Sequence, residues 1–189
     1  MRKIVFASLL LAAQLFAFER GSIGLNVNDS DLEIEGRTSL ANFAFNPIYR
    51  NFYIDANLIS ADDTLTGVGF YVENSPTNYA NILLDIGVRA LFSKNHGDSF
   101  SALPIYAAAK ARLYLGTLPK SHLGFKVAYA PSPLTFQDGD DYLEYRVEAD
   151  MQVLENVDIY AGYRHIDTNY DTRDVEFNSA GYIGFKFLF

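Results

Sequence analysis

The residues best equipped for chemistry lie in the run His165-Ile166-Asp167-Thr168. On a strand, residues two apart share a face, so His165 and Asp167 would stand side by side. A histidine beside a carboxylate is the base half of a nucleophilic hydrolase, in which the imidazole deprotonates a serine and the acid orients the ring. No serine stands out in the sequence as the nucleophile. The pair is therefore an alternative, set against an interfacial histidine next to a solvated loop, and no catalytic residue is assigned. Metal chemistry finds less support. Asp138-Gly139-Asp140-Asp141, with Asp167, Asp171 and Asp174, makes an acidic rim of the kind that can attract Ca²⁺ or the cations bridging lipid phosphates. Its spacing lacks the alternate acids and distant Glu of an EF-hand loop. His96 and His122 are isolated in sequence. The expectation is no metal, no cofactor and no enzyme.

The elements that would carry these residues are strands. Reading back from the C-terminus, Phe189, Phe187, Phe185 and Ile183 sit two apart, with Leu188, Lys186, Gly184 and Tyr182 between them. One face is thus apolar and aromatic, the other polar or small. A naked aromatic strand would invite edge pairing in a soluble protein, whereas a closed barrel removes the edge by pairing last strand with first. The residues Tyr182, Ile183, Phe185, Phe187 and Phe189 resemble the C-terminal assembly signal of bacterial outer-membrane barrels.

The same alternation recurs. Ile23, Leu25 and Val27 are followed by Leu32 and Ile34, then by Phe52, Ile54, Ala56 and Leu58, then by Val68, Phe70 and Val72. Further stripes occupy 82–90, 102–115, 122–129, 143–153 and 157–164, with Pro104 early in the sixth, where a missing ladder donor is tolerated. The tally is ten strands, or eight if the two segments before Leu40 stay outside the barrel. The turns Gly116–Pro119 and Leu154–Asn156 are tight and are expected in the periplasm. Lys94–Ser99, Ala130–Asp140 and Asn169–Asp174 are longer, polar and expected outside the cell. A helical turn is expected only near Pro133–Gln137.

The opposite face carries both signs of charge. Its acids are Glu33, Glu35, Asp55, Glu73, Asp85, Glu144, Glu148, Asp150, Asp158 and Glu176; its bases are Arg37, Arg89, Lys110, Arg112, Lys126, Arg146, Arg164 and Lys186. Charge on the lipid face of a membrane barrel costs roughly 2–4 kcal/mol near the midplane, so these residues belong inside, as an ion-pair network. A ten-stranded barrel is only slightly wider than one that side chains fill. A largely plugged lumen follows, with at most a narrow conduit and no general diffusion.

The N-terminus agrees. Arg2 and Lys3 precede the apolar run Ile4–Ala13 and an exit ending at Ala17, which reads as a signal peptide over 1–17. Residues 18–189 then form a single domain. Cleavage would remove two of the 15 basic residues and none of the 23 acidic ones, leaving a balance of −10. Nucleic acid, which asks for a basic patch, is not an expected partner. The chain has no Cys, and with no Trp any aromatic girdle falls to its 13 Tyr and 15 Phe.

Residues 129–142, Tyr-Ala-Pro-Ser-Pro-Leu-Thr-Phe-Gln-Asp-Gly-Asp-Asp-Tyr, resemble the strand–loop–strand signature of the YfaZ family. So do Ile159-Tyr160-Ala161-Gly162-Tyr163-Arg164 and Tyr182-Ile183-Gly184-Phe185. The resemblance is best over 120–189 and implies a small outer-membrane β-barrel of a Gram-negative bacterium, without catalytic residues. The expected partners are outer-membrane lipids, lipopolysaccharide and the barrel-assembly machinery, engaged through the last strand; the expected state is a monomer. Set beside that stands a lipid-modifying enzyme similar to lipid A deacylases, with a site near His165. Those enzymes place a Ser two residues after the His, where this chain has Asp167.

Overall fold

The computed structural model describes residues 20–44, 46–76, 81–95, 98–114, 116, 119–170 and 174–189. The segment expected to be a signal peptide, with His96 and Asp171, lies outside the described residues. Twelve strands occur among them: β1 (Gly21–Val27), β2 (Leu32–Ser39), β3 (Phe52–Ser60), β4 (Thr64–Asn74), β5 (Ile82–Asn95), β6 (Asp98–Ala102), β7 (Ile105–Leu113), β8 (Ser121–Ala130), β9 (Thr135–Gln137), β10 (Gly139–Leu154), β11 (Val157–Tyr170) and β12 (Glu176–Leu188). Ten form a closed antiparallel wall in the order β4-β3-β2-β1-β12-β11-β10-β8-β7-β5, and β4 pairs with β5 to shut it. The ten-strand expectation holds. The eight-strand alternative fails because β1 pairs with both β12 and β2, and β2 continues the ladder to β3.

The first and last wall strands meet where β12 joins β1. Gly21 and Phe189 exchange two backbone hydrogen bonds of 2.8 and 3.0 Å, and Leu25 stands opposite Phe185. Ile183, Phe185, Leu25, Ile159, Val68 and Ile86 point outward, while Ser22, Asn26, Tyr182 and Tyr160 are buried in the bore. A period of two with apolar residues outside is the pattern a barrel needs in lipid. The bore accommodates its rings by setting them over glycines. Tyr160 is paired with Gly184 and Tyr182 with Gly162, and a Cβ at either glycine would lie 2.7 Å from the facing ring.

Three details depart from the sequence reading. The stripe expected over 102–115 shortens to β7 (Ile105–Leu113), with a further strand, β6 (Asp98–Ala102), ahead of it. Pro104, which donates no hydrogen bond, lies between β6 and β7 and accepts one from Arg89 N (3.0 Å). There the chain leaves the wall, so that β6 can pair with β5 and β9. Tyr114, which the alternation over 102–115 would turn inward together with Arg112, follows β7 and is exposed, bonding to Asn81 through its hydroxyl. Connections are not uniformly tight at the end that holds Gly21 and Phe189, called the termini end below. Residues 40–51 there include a helical turn α1 (Ala41–Ala44) and a 3₁₀ turn (Pro47–Tyr49). Asn46 caps the 3₁₀ turn through Ile48 N (3.0 Å), and Ser39 Oγ donates to Arg50 O (3.1 Å), tying the segment down.

At the opposite end, called the loop end below, the bore carries apolar side chains as well. Ile59, Leu65, Leu91 and Ile166 point inward there and are at most 1% exposed. Phe100 on β6 leans in between Tyr142 and Tyr170, with ring centroids 6.2 and 5.6 Å away. Ala102, Ala128 and Ala130 complete this apolar cap.

Candidate functional site

Two places gather chemistry: the middle of the bore and an outward patch near the loop end. The bore is built around Glu33. From β2 its carboxylate takes two hydrogen bonds from Arg146 of β10, Nη1 to Oε2 at 3.0 Å and Nη2 to Oε1 at 3.1 Å. Counting round the wall, β2 and β10 are four strands apart, close to diametrically opposite in a barrel of ten. The pair is therefore a bridge across the bore. Such fork-to-fork contacts are the strongest ion-pair geometry.

Register explains why so many acids converge. Lys126, Arg146 and Arg164 lie opposite one another on β8, β10 and β11. Like charges in direct cross-strand pairs repel, so the row needs acids between its members. Glu144 lies 3.0 Å from Lys126 and 3.2 Å from Arg146. Glu33 also takes Arg164 Nη1, along with Asn26 (2.9 Å) and Asn57 (3.0 Å). Arg164, with no exposed surface, reaches Asp31 at 2.6 Å and Asn178 Oδ1 at 3.1 Å. Nearer the termini, Lys186 lies 3.1 Å from Glu35 and 3.7 Å from Glu148, and Tyr182 donates to Glu148 at 3.1 Å. Lys110 and His122 both pair with Asp150, at 2.5 and 2.7 Å, and Arg89 pairs with Asp55. Between these side chains lies a cavity of about 190 Å³ whose lining includes Arg37, Asp55, Asp85, Tyr106 and Lys110. At ~30 Å³ per water it holds a handful of molecules.

Most lumen charges named from the sequence are thus in the bore, with Asp158 buried near the termini. Arg112 differs: it stands at the rim over the Tyr114 ring (5.5 Å). Glu176 differs more, since it faces outward with 61% of its side chain exposed. A register shift between Ile166 and Asp167 brings it opposite Asp167 and turns it out of the bore. His122, isolated in sequence, is a partner of Asp150. Asn26 and Asn57 are buried where the alternation opposite Leu25 and Ala56 puts them, whereas Asp31 and Asn178 were not found among the bore residues from sequence. Asp31 reads as a turn residue, and Asn28 does build that turn by accepting from Ser30 N (2.8 Å) and Asp31 N (2.7 Å), which aims the Asp31 carboxylate inward.

The second place lies outside the wall. His165 on β11 is directly opposite Ser179 on β12 and Tyr145 on β10. His165 Nε2 is 2.9 Å from Asp167 Oδ2, and its Nδ1 is 3.2 Å from Ser179 Oγ and 3.7 Å from Glu176. Tyr145 stacks on the imidazole at 4.8 Å and 23°, and the Tyr163 hydroxyl is 2.8 Å from Ser179 Oγ. His165, Asp167 and Glu176 also form a group with ligand atoms within 4.8 Å of one another. The two ring nitrogens point at different acids, a poorer fit to one ion than to a hydrogen-bonded chain. Sequence reasoning missed Ser179, because it lies fourteen residues downstream and only the strand register brings it to His165.

Comparison with known proteins agrees with this architecture. A family described as "YfaZ precursor" matches residues 90–189, more than half of the chain. Among curated protein sequences nothing matches. Among solved structures the chain is similar to one titled "Bacterial polysaccharide outer membrane secretin", with a TM-score of 0.50 at 11% identity, covering 89% of this chain and 69% of that one. It is also similar to a NanC porin structure, with a TM-score of 0.42 at 11% identity, covering 89% of this chain and 98% of that one. At 11% identity the likeness to the first of these concerns the fold alone. The apolar outer band and closed wall are those of an outer-membrane β-barrel, and the chain belongs to the YfaZ family.

Proposed function

We propose that this protein serves the outer membrane as a structural or interacting barrel, with a bore that is largely plugged and passes at most a narrow stream of water or small ions. The Arg146–Glu33 bridge across the bore carries this reading. Above it the apolar cap of Leu65, Leu91, Phe100 and Ile166 adds a second barrier. A diffusing solute would have to separate buried ion pairs, which leaves uncompensated charges at a cost of several kcal/mol each. Residues 1–17 serve as a cleaved signal, the termini face the periplasm and the loop end faces outward. The last strand, Tyr182 to Phe189, is what the barrel-assembly machinery engages. The working state is a monomer in contact with lipid and lipopolysaccharide. Planar-bilayer recording of the purified protein tests this reading: long silent records with only rare small events are expected. A steady conductance of porin size would overturn it.

A further inference from the structure

We propose that Ser179, His165 and Asp167 form an esterase site on the outer wall that hydrolyses the acyl esters of membrane lipids. Nothing in this inference depends on whether the bore conducts. It rests on a hydrogen-bonded chain in the order that nucleophilic hydrolysis requires, placed where ester carbonyls lie, above a groove suited to an acyl chain.

The chain of groups comes first. With Nε2–H donating to Asp167 Oδ2 at 2.9 Å, the lone pair of Nδ1 faces Ser179 Oγ at 3.2 Å. An acid, an imidazole and a hydroxyl in line make up the base and nucleophile of acyl transfer, and they are recognised by geometry rather than by sequence order. Tyr145, stacked on the ring, is a positioning residue that keeps the imidazole in that orientation. Glu176, 3.7 Å from Nδ1, adds a second carboxylate beside the ring when it takes up a proton.

Depth comes second. His165 is eight residues beyond Val157, where β11 starts near the termini. At ~3.3 Å per residue and a tilt of about 40°, His165 stands ~20 Å above that start. The apolar band of an outer-membrane barrel is roughly 25 Å tall. The site is thus at the upper edge of the band, the level of the bonds joining acyl chains to headgroups.

A place for the chain comes third. Below the site an apolar groove of about 760 Å³ runs over Val27, Ala149, Met151, Ala161, Ile183 and Phe185. Ala149 and Ala161 are directly paired and give the groove a floor of small residues. Between Ser179 and Ile183 on β12 stands Gly181, where a Cβ would meet nothing nearer than the Gly162 carbonyl at 3.7 Å. An acyl chain whose carbonyl lies at Ser179 can run over Gly181 into the groove without meeting a side chain on that strand.

The reaction balances without a metal or redox partner. Ser179 Oγ attacks the ester carbonyl while its proton passes to His165 Nδ1. Collapse of the tetrahedral adduct breaks the bond to the alkoxy group, which leaves with that proton as a lysolipid alcohol. A water then gives its proton to His165 and attacks the acyl-Ser179, releasing a fatty acid and restoring the hydroxyl. The Tyr163 hydroxyl, 2.8 Å from Ser179 Oγ, is near enough to donate to the adduct's oxygen.

The test uses the full-length barrel, folded in dioleoyl phosphatidylcholine vesicles and in detergent micelles. A fluorophosphonate probe is expected to label Ser179, read by mass spectrometry of the peptide containing it, and fatty acid is expected to be released from the vesicles. Ser179→Ala and His165→Gln are each expected to lower release by about a hundredfold or more, with both still shifting mobility on boiling as folded barrels do. Ser60→Ala, on an exposed residue away from the site, is expected to behave as the unaltered protein. Release that is no greater than that of Ser179→Ala would overturn the proposal. So would probe labelling of Ser179 that persists undiminished in the folded His165→Gln variant, because an exposed serine alone would then explain it.

Discussion

Arg164 is wholly buried and holds two acids, Asp31 and Glu33, with Asn178 binding both it and Asp31. Removing one member of a buried charge cluster costs about 3–5 kcal/mol, because the partner's charge is left without compensation. Arg164→Met is expected to destabilise the folded barrel by that amount, read as a lower urea midpoint for loss of the heat-modifiable band. Arg146 still neutralises Glu33 in that variant, so the uncompensated group is mainly Asp31. Asp31→Asn in the Arg164→Met background should therefore recover part of the loss, whereas Asp31→Asn alone should destabilise. No recovery would mean that Arg164 acts through packing instead. At this scale the sequence was legible in part. Charge on the face opposite an apolar stripe marks Arg146, Arg164 and Glu144 as interior, since the membrane leaves them no other place. It could not single out Asp31, which belongs to a turn and owes its inward aim to the Asn28 side chain. Nor could it find Ser179 beside His165, a contact between strands that depends on register.

At the scale of elements, β6 and β9 are additions to the wall. They form where Pro104 interrupts the ladder, and β6 brings Phe100 over the bore between Tyr142 and Tyr170. Phe100 is 1% exposed and fills the centre of the cap. Truncating a buried Phe to Ala costs about 3–5 kcal/mol when its surroundings cannot collapse. Here the loss falls on the cap, because the ten wall strands keep their own ladders. Phe100→Ala is expected to leave the boiling-dependent mobility shift intact and to increase the frequency of small conductance events in planar bilayers at least severalfold. An unchanged record would put the resistance to flow in the Arg146–Glu33 layer alone. The alternation in the sequence indicated the wall strands and their faces, because a period of two is imposed wherever one side meets lipid. It did not indicate β6 and β9, which meet no lipid and carry no stripe. Leu65, Leu91 and Ile166 fall on the face that elsewhere carries charge, and only their burial in the folded barrel marks them as a cap.

For the whole molecule, the membrane decides which substitutions are tolerated, and depth is the controlling variable. Ile183 lies outward, paired with Ala161 and Val27, roughly midway between the chain ends and the His165 level. Glu176 lies outward as well, above the band. Arginine on the lipid face costs roughly 2–4 kcal/mol at the midplane and about 0–1 near the interface. Ile183→Arg is therefore expected to destabilise the barrel by ~2–4 kcal/mol and to reduce the yield of folded protein. Glu176→Arg should change either by no more than ~1 kcal/mol. Urea titrations of both variants refolded into the same vesicles would measure the difference. A soluble sandwich with the same alternation would bury Ile183 between two sheets and expose the charged face, so both arginines would be judged by packing and not by depth. A graded cost along β12, falling from Ile183 towards Glu176, is the signature of lipid on that face. It also fixes how deep the Ser179–His165 pair lies, because Ser179 stands four residues from Ile183 and three from Glu176 on the same strand.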